Sequence, residues 1–256
     1  MNSKVMLFEN ERIDDLQYKD LKIIQNKDGF CFGLDAVLLA NFAEVKNHDY
    51  VVDLGTGTGI IPILIAGKTK AKKVVGVEIQ ESVANMARRS VRLNMLESVV
   101  DIESADIKNC RDILGSSKFD VVVTNPPFMN KGGGIINEAD TKAISRHEIL
   151  CSLEDVIRTS GELLKEKGQF NMVHRPQRLV DIVFLMRKYN IEPKYLKFVH
   201  PSPHKKPNLI LIRGLKGGKP ELKMLDPLYV YNENGEYTGD INRIFDLGGV
   251  LTPPKS

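Results

Sequence analysis

Between Asp53 and Gly59 the chain reads Asp-Leu-Gly-Thr-Gly-Thr-Gly, a carboxylate followed by glycines at every second position. Glycines there let the backbone turn sharply and come close to a bound molecule. Their spacing restricts what that molecule is. A dinucleotide fingerprint requires Gly-x-Gly-x-x-Gly, yet Ile60 stands three positions beyond Gly57 and Pro62 three beyond Gly59. A phosphate-cradling loop would close on Gly-Lys-Ser or Gly-Lys-Thr, which this one does not. The Asp53 carboxylate would repel a pyrophosphate and attract an ammonium or sulfonium centre. Glu78 ends the next β-rich run, where an acidic side chain can accept both hydroxyls of a ribose. Asp106 follows the run after that, placed to accept from the amino group of an adenine. A nucleoside with a cationic amino-acid tail satisfies all three acids, and S-adenosylmethionine is such a molecule. The competing reading is three solvated carboxylates and a turn.

Asn125-Pro126-Pro127-Phe128 closes a further β-rich run. Two prolines fix the backbone and remove two donors, leaving carbonyls free to accept. The Asn125 side-chain oxygen and the Pro126 carbonyl can then accept both hydrogens of one NH2 group, localising its lone pair and aiming it at a methyl group. Phe128 offers a flat face for a base that has left its helix. Such catalysis is mostly alignment and needs no strong general base. As a bare turn, the tetrapeptide would simply terminate a strand.

These residues need a frame that brings strand ends together. Val51–Leu54, Val74–Ile79, Phe119–Thr124, Gly168–Val173 and Leu209–Ile212 are near-continuous apolar runs, with Val99–Ile102 a weaker one. Runs of this kind fit strands buried on both faces. Between them lie helical stripes: Val83, Met86, Ala87 and Val91 after a cap at Ser82; Leu153, Val156, Ile157 and Leu164; Leu179, Ile182, Val183 and Met186. Helices are also expected over Leu34–Ala43 and Ile60–Ala66. Strands alternating with helices imply βαβ units and a doubly wound, mostly parallel α/β sheet. The expected organisation is one domain over 1–256: an N-terminal extension (1–50), a core (51–215) and a tail (216–256).

Composition narrows the class. The chain has 256 residues, 42% hydrophobic and 27% charged, enough for a sizeable core. A net charge of +3 excludes a histone-like protein. Cys31, Cys110 and Cys151 form no Cys-x-x-Cys pair and read as reduced thiols of a cytoplasmic protein, neither a disulfide framework nor a zinc site. His147 and Cys151 are spaced to share a metal, but no further ligand set accompanies them, so no metal is expected. No membrane span or signal peptide is expected, and a monomer is the working expectation. Lys165–Lys223 holds 14 Lys and Arg against 4 acids, +10, leaving −7 for the rest. A basic half beside the site suits RNA phosphates, with Lys205-Lys206 and Lys216 to Lys219 its densest parts.

The two motifs together resemble the class I methyltransferases that modify exocyclic or amide nitrogens. Within that group the chain is similar to the bacterial tRNA1(Val) adenine-37 N6-methyltransferases. The likeness extends to Asn10–Leu16, Leu21–Asn26, Phe30–Leu39, Ser145-Arg146-His147-Glu148 and Gly235-Glu236-Tyr237-Thr238. It implies a Rossmann-like, seven-stranded sheet with helices on both faces, and methyl transfer to N6 of an anticodon-loop adenine. Carried over by position, Asp53, Gly55, Thr56, Gly57, Gly59, Glu78, Ile79, Asp106, Ile107 and Asn125 hold S-adenosylmethionine and later S-adenosylhomocysteine. Asn125, Pro126, Pro127 and Phe128 hold the adenine. The segment before the first core strand would add Phe32 and Asp35 over the methionine end, although Asp35 equally reads as a buried cap for the helix beginning at Leu34. His147 reads as part of a polar loop in preference to a general base, and Lys131-Gly132-Gly133-Gly134 as a flap. Three alternatives stay open: a glutamine-N5 methyltransferase acting on a release factor, a guanine-N2 ribosomal RNA methyltransferase, and a catalytically silent RNA-binding module. A nucleotide-binding oxidoreductase is disfavoured by the missing Gly-x-Gly-x-x-Gly.

Overall fold

The computed structural model describes residues 5–27, 33–126 and 151–246. The chain opens with an antiparallel hairpin, β1 (Glu11–Asp15) and β2 (Lys22–Asn26), then α1 (Leu34–Phe42). Alternating units follow: β3 (Tyr50–Leu54), α2 (Ile60–Lys68), β4 (Lys73–Glu78), α3 (Glu81–Leu93), β5 (Val100–Ser104), α4 (Cys110–Leu114) and β6 (Phe119–Thr124). Next come α5 (Leu153–Leu163), β7 (Leu164–His174), α6 (Leu179–Lys188), β8 (Ile191–His200) and β9 (Leu209–Lys216). Two short strands, β10 (Lys223–Met224) and β11 (Leu228–Tyr229), and α7 (Gly239–Asp246) complete the described chain.

The main sheet has the order β5-β4-β3-β6-β7-β9-β8, with β10 and β11 both beside β8. Strands β5, β4, β3, β6 and β7 are mutually parallel, and β9 runs antiparallel to both β7 and β8. The expected seven strands are the body of this sheet; the added pair are two residues each, too short to announce themselves as apolar runs. The chain winds outward from β3 to β5, then returns to place β6 on the other side of β3. That reversal opens a crevice at the carboxyl ends of β3 and β6, where sheets of this kind bind ligands.

Successive strand residues face opposite sides. Val51, Val74, Val121 and Val123 pack in one hydrophobic layer with α1, α2 and α3, whereas Val52, Val75 and Val122 pack in the other with α5 and α6. Both flanks contribute to the first layer, through Leu16, Tyr18 and Ile23 in front and Leu228, Val230, Ile241 and Ile244 behind. The hairpin is strapped to α3. Ser90 Oγ accepts from the Ile24 amide at 2.9 Å, and Asn94 accepts from the Lys22 amide at 2.8 Å. Arg89 donates to both carboxylate oxygens of buried Glu11, each at 2.5 Å, a bidentate pair that holds this carboxyl below its usual range. Helix α3 begins at Glu81 after Gln80, so Ser82 is not its cap. Leu164 likewise leaves the α5 stripe to open β7. Among the described residues no helix is long and apolar enough to cross a membrane.

Candidate active site

The glycine loop forms because β3 stops at Leu54 and the chain must reverse into α2 at once. Gly55, Gly57 and Gly59 all take positive φ, 79°, 55° and 88°, a region that disfavours side chains. Among the described residues nothing lies within 4 Å of where a Cβ on Gly55 or Gly57 would stand, so no described residue covers the loop backbone there. Its other side is tied down: the amides of Gly55 and Thr56 donate to the Val77 carbonyl at 3.0 and 2.9 Å. Gly76 in β4 makes this possible. A Cβ there would meet Thr56 Oγ1 at 2.8 Å and Ile102 Cδ1 at 2.8 Å.

Beneath the loop, Asp53 is fully buried, and among the described residues neither carboxylate oxygen has a hydrogen-bond partner. Burial pushes its pKa up to about 7; the nearby Thr56 hydroxyl opposes the shift and the Glu78 charge adds to it. The opposing hydroxyl does not reach hydrogen-bond geometry, for Thr56 Oγ1 is also unpartnered. Glu78, at the end of β4, accepts from the Gly57 amide at 3.1 Å and the Gln80 amide at 2.9 Å. Each of its oxygens retains a lone pair for a further donor. An unpaired buried carboxylate under an open glycine loop suits a ligand that brings a cation and hydroxyls, so these residues fit the cationic nucleoside expected from sequence.

Residue 125 is placed by register. Leu54 pairs with Thr124 across β3 and β6, so Asn125 and Gly55 leave adjacent strands at the same level. The buried Thr124 hydroxyl donates to the Leu54 carbonyl at 2.9 Å, locking the two strand ends together. Asn125 is half-buried and Pro126 buried; Pro127, Phe128, the 131–134 segment, His147 and Phe32 lie outside the described residues. Asp106 follows β5 and caps the short turn Ile107–Asn109 by accepting from the Lys108 amide at 2.9 Å. Ile79 is exposed beside Glu78, and Ile107 is half-buried. Asp35 sits in the first turn of α1 and accepts from the Ala36 amide at 3.0 Å, while its charge also reaches Arg175. The N-cap is Gly33, without a side-chain cap bond, and Asp35 is half-buried inside the helix, so Asp35 is not the buried cap the sequence suggested.

Three contributors had no signal of chemistry in the sequence. Gly76 and Thr124 read as ordinary strand residues until their cross-strand neighbours are known. His174 ends β7 on the same sheet edge and is buried, with Nδ1 accepting from the Arg175 amide at 2.8 Å. Burial, with the charges of Arg178 and Arg175, pushes its pKa down to about 4, so it is neutral at physiological pH. A broad depression lined by Ser116, Arg158, Glu162 and Lys216 lies at the opposite edge, where Arg158 is already paired with Asp155 and Glu162.

An open α/β sheet with a glycine loop and a buried acid at its switch point defines a ligand-binding α/β architecture, and the comparisons give its class. Residues 32–188 match the family model described as "Methyltransferase small domain". A curated tRNA1(Val) (adenine(37)-N6)-methyltransferase of Porphyromonas gingivalis is 30% identical over 207 residues, 77% of this chain and 79% of that protein. A protein of the same name from Haemophilus influenzae is 24% identical over 86% of this chain and 92% of its own length. Among solved structures, a predicted O-methyltransferase from Agrobacterium tumefaciens superposes with a TM-score of 0.70 at 23% identity, over 87% of this chain and all of that one. The M. jannaschii protein TYW2 in complex with AdoMet does so at 0.56 and 15%, over 82% and 87%. These two likenesses carry the fold. The chain belongs to the methyltransferase small domain family and, within it, to the tRNA1(Val) (adenine(37)-N6)-methyltransferases.

Proposed function

We propose that this cytoplasmic enzyme transfers a methyl group from S-adenosylmethionine to N6 of an adenine in tRNA, A37 of the anticodon loop of tRNA1(Val). Family membership supports the reaction. The single structural observation that carries it is the Leu54–Thr124 register, which sets the glycine loop and Asn125 side by side. When bound, the cofactor supplies a methyl group on a sulfonium, its own leaving group. Asp53 holds the cationic amino-acid end and Glu78 the ribose hydroxyls. Asp106 receives the adenine amino group of the cofactor, with Ile79 and Ile107 against the ring. The target amino group donates its two hydrogens to Asn125 Oδ1 and the Pro126 carbonyl, which leaves the nitrogen lone pair directed at the methyl carbon. Phe128, assigned from its motif, stacks on the target base. After transfer N6 carries a surplus proton, which leaves to solvent; no residue of strong basicity is needed, because Asn125 and Pro126 contribute by positioning the amino group.

A tritiated methyl-transfer assay tests this, offering unmodified tRNA and a release-factor protein side by side and digesting the products. Label recovered as N6-methyladenosine is the expected result. Label confined to protein would overturn the RNA reading in favour of glutamine-N5 transfer, since an amide NH2 fits the same two acceptors.

A further inference from the structure

The basic stretch between Lys165 and Lys223 forms two separate clusters, and the topology sends them to opposite edges of the sheet. Lys216 pairs with Ile191 at the start of β8 and donates to the Leu164 carbonyl at 2.8 Å, so Lys216 to Lys219 lie away from the proposed site. Strand β8 runs in the same direction as β6 and β7, because both β7 and β8 are antiparallel to β9. The loop after His200 therefore emerges on the edge that carries Gly55 and Asn125. It holds His204, Lys205 and Lys206, all exposed, and neither lysine ammonium has a partner among the described residues.

Strand β11 runs parallel to β8, pairing Tyr229 with His200, and brings a second feature to the same place. The Tyr231 amide donates to the Pro201 carbonyl at 2.9 Å, and His204 lies 3.5 Å from Glu233. Beyond β11, Tyr231 and Tyr237 stack with ring centroids 5.2 Å apart and planes 11° from parallel, each residue 41% exposed. Phe245 backs Tyr237 at 5.9 Å. Three inter-strand steps separate β8 from β6, about 14 Å at the usual strand spacing. Unpaired cations beside exposed aromatic faces are what a flexible nucleic-acid strand needs: charge for phosphates and rings for splayed bases.

We propose that the Lys205-Lys206 loop and the Tyr231–Tyr237 stack form the surface that takes the RNA flanking the target adenine, the lysines on phosphates and the tyrosines against unstacked bases. This rests on the tRNA reading above and adds where on the molecule the strand runs. The test measures binding of an unmodified tRNA1(Val) transcript across a salt series, with steady-state methylation and S-adenosylhomocysteine affinity on the same samples. K205E/K206E is expected to weaken tRNA binding by about tenfold or more and to flatten the log-affinity against log-salt slope by about 1.5, two phosphates' worth. Its kcat and cofactor affinity stay at wild-type values. Y231A is expected to raise the KM for tRNA by about five- to a hundredfold, and Y231F, which keeps the ring, to restore it. Wild-type binding and slope in K205E/K206E, with wild-type KM in Y231A, would overturn this surface while wild-type methylation of tRNA keeps the proposed function. Failure of Y231F to restore KM would reduce the tyrosines to a structural prop and remove them from the surface. Labelling of protein and not tRNA by the wild-type enzyme would overturn both readings.

Discussion

The two edges of the central sheet are made from similar residues and completed differently. Where the strands begin, charge meets charge. Asp120 accepts from Lys165 at 2.7 and 2.8 Å and from the Tyr50 amide at 2.9 Å, and Lys72 and Lys165 both lie over the Tyr50 ring. Where the strands end, Asp53 is buried with neither carboxylate oxygen paired among the described residues, and the Thr56 hydroxyl beside it lacks a partner there too. Among the buried Asp, Glu, His and Arg side chains of the described residues, Asp53 alone lacks a hydrogen bond: Glu11, Glu78, Arg89, His174 and Arg213 each have one. Burying a carboxylate without a partner costs several kcal/mol, or else holds it protonated. Among the described residues, one edge pairs its acid with protein donors, and the other leaves its buried acid without one. The open edge coincides with the topological switch point, which is where the chemistry belongs.

That contrast can be broken experimentally. Asn125→Ala should lower methyl transfer by about 100- to 1000-fold, the usual cost of deleting a positioned polar group at a reacting atom, with cofactor affinity unchanged to within a few-fold. Single-turnover rates and calorimetry read the two separately, and full activity would move the chemistry away from Asn125.

Asp53→Asn should separate stability from binding. The Asp53 carboxyl titrates near 3.8 when unfolded and about 7 when folded, so the folded state holds the extra proton between those values. Stability contributed by this group is present in full below about pH 4 and is lost as the pH rises to about 7. The asparagine variant removes that loss. Without ligand its melting temperature should exceed wild type at pH 8, by a margin corresponding to a few kcal/mol at most, and match it near pH 4. Its affinity for the cofactor should fall by tenfold or so. In the wild-type protein the same affinity should climb with pH until Asp53 is ionised, near pH 7. A variant less stable than wild type at pH 8 would mean that Asp53 is paired in the free protein.

Gly76→Ala forces a methyl group against Thr56 and Ile102, and overpacking of this kind costs about 1–3 kcal/mol. Denaturant unfolding should show that loss together with weaker cofactor binding, because the displaced residue belongs to the loop. At the opposite edge, Lys165→Met removes an ion pair whose lysine is 41% exposed; its cost should be below about 1 kcal/mol with methylation rates unchanged. A large activity loss there would erase the distinction between the edges.

Much of the frame could be read directly. Continuous valine runs announced β3, β4 and β6 because strands buried on both faces need apolar residues at every position. Strand β8 escaped because it mixes apolar residues with Lys194 and Lys197, carries Pro193 and has a bulge between Pro193 and Tyr195. The tail shows no apolar run because its buried residues are isolated in sequence. Leu228, Val230, Ile241 and Ile244 find their apolar partners only across the fold, in the layer around α1. The basic half read as one strip because sequence distance says nothing about strand direction; antiparallel β9 carries Lys216 to the far edge while Lys205 and Lys206 stay at the near one.

By itself the sequence determined the kind of ligand and the kind of sheet, because both depend on local properties: glycines at a turn, acids at strand ends, prolines that free carbonyls, and hydrophobic periodicity. Only the tertiary structure decided which of these residues act together. The Leu54–Thr124 register, the space that Gly76 leaves for Thr56, the isolation of Asp53 and the division of the lysines between two edges are all consequences of pairing between residues distant in the chain. Pairing of that kind is settled when the sheet assembles, by the packing of whole strands and helices, and no single segment encodes it.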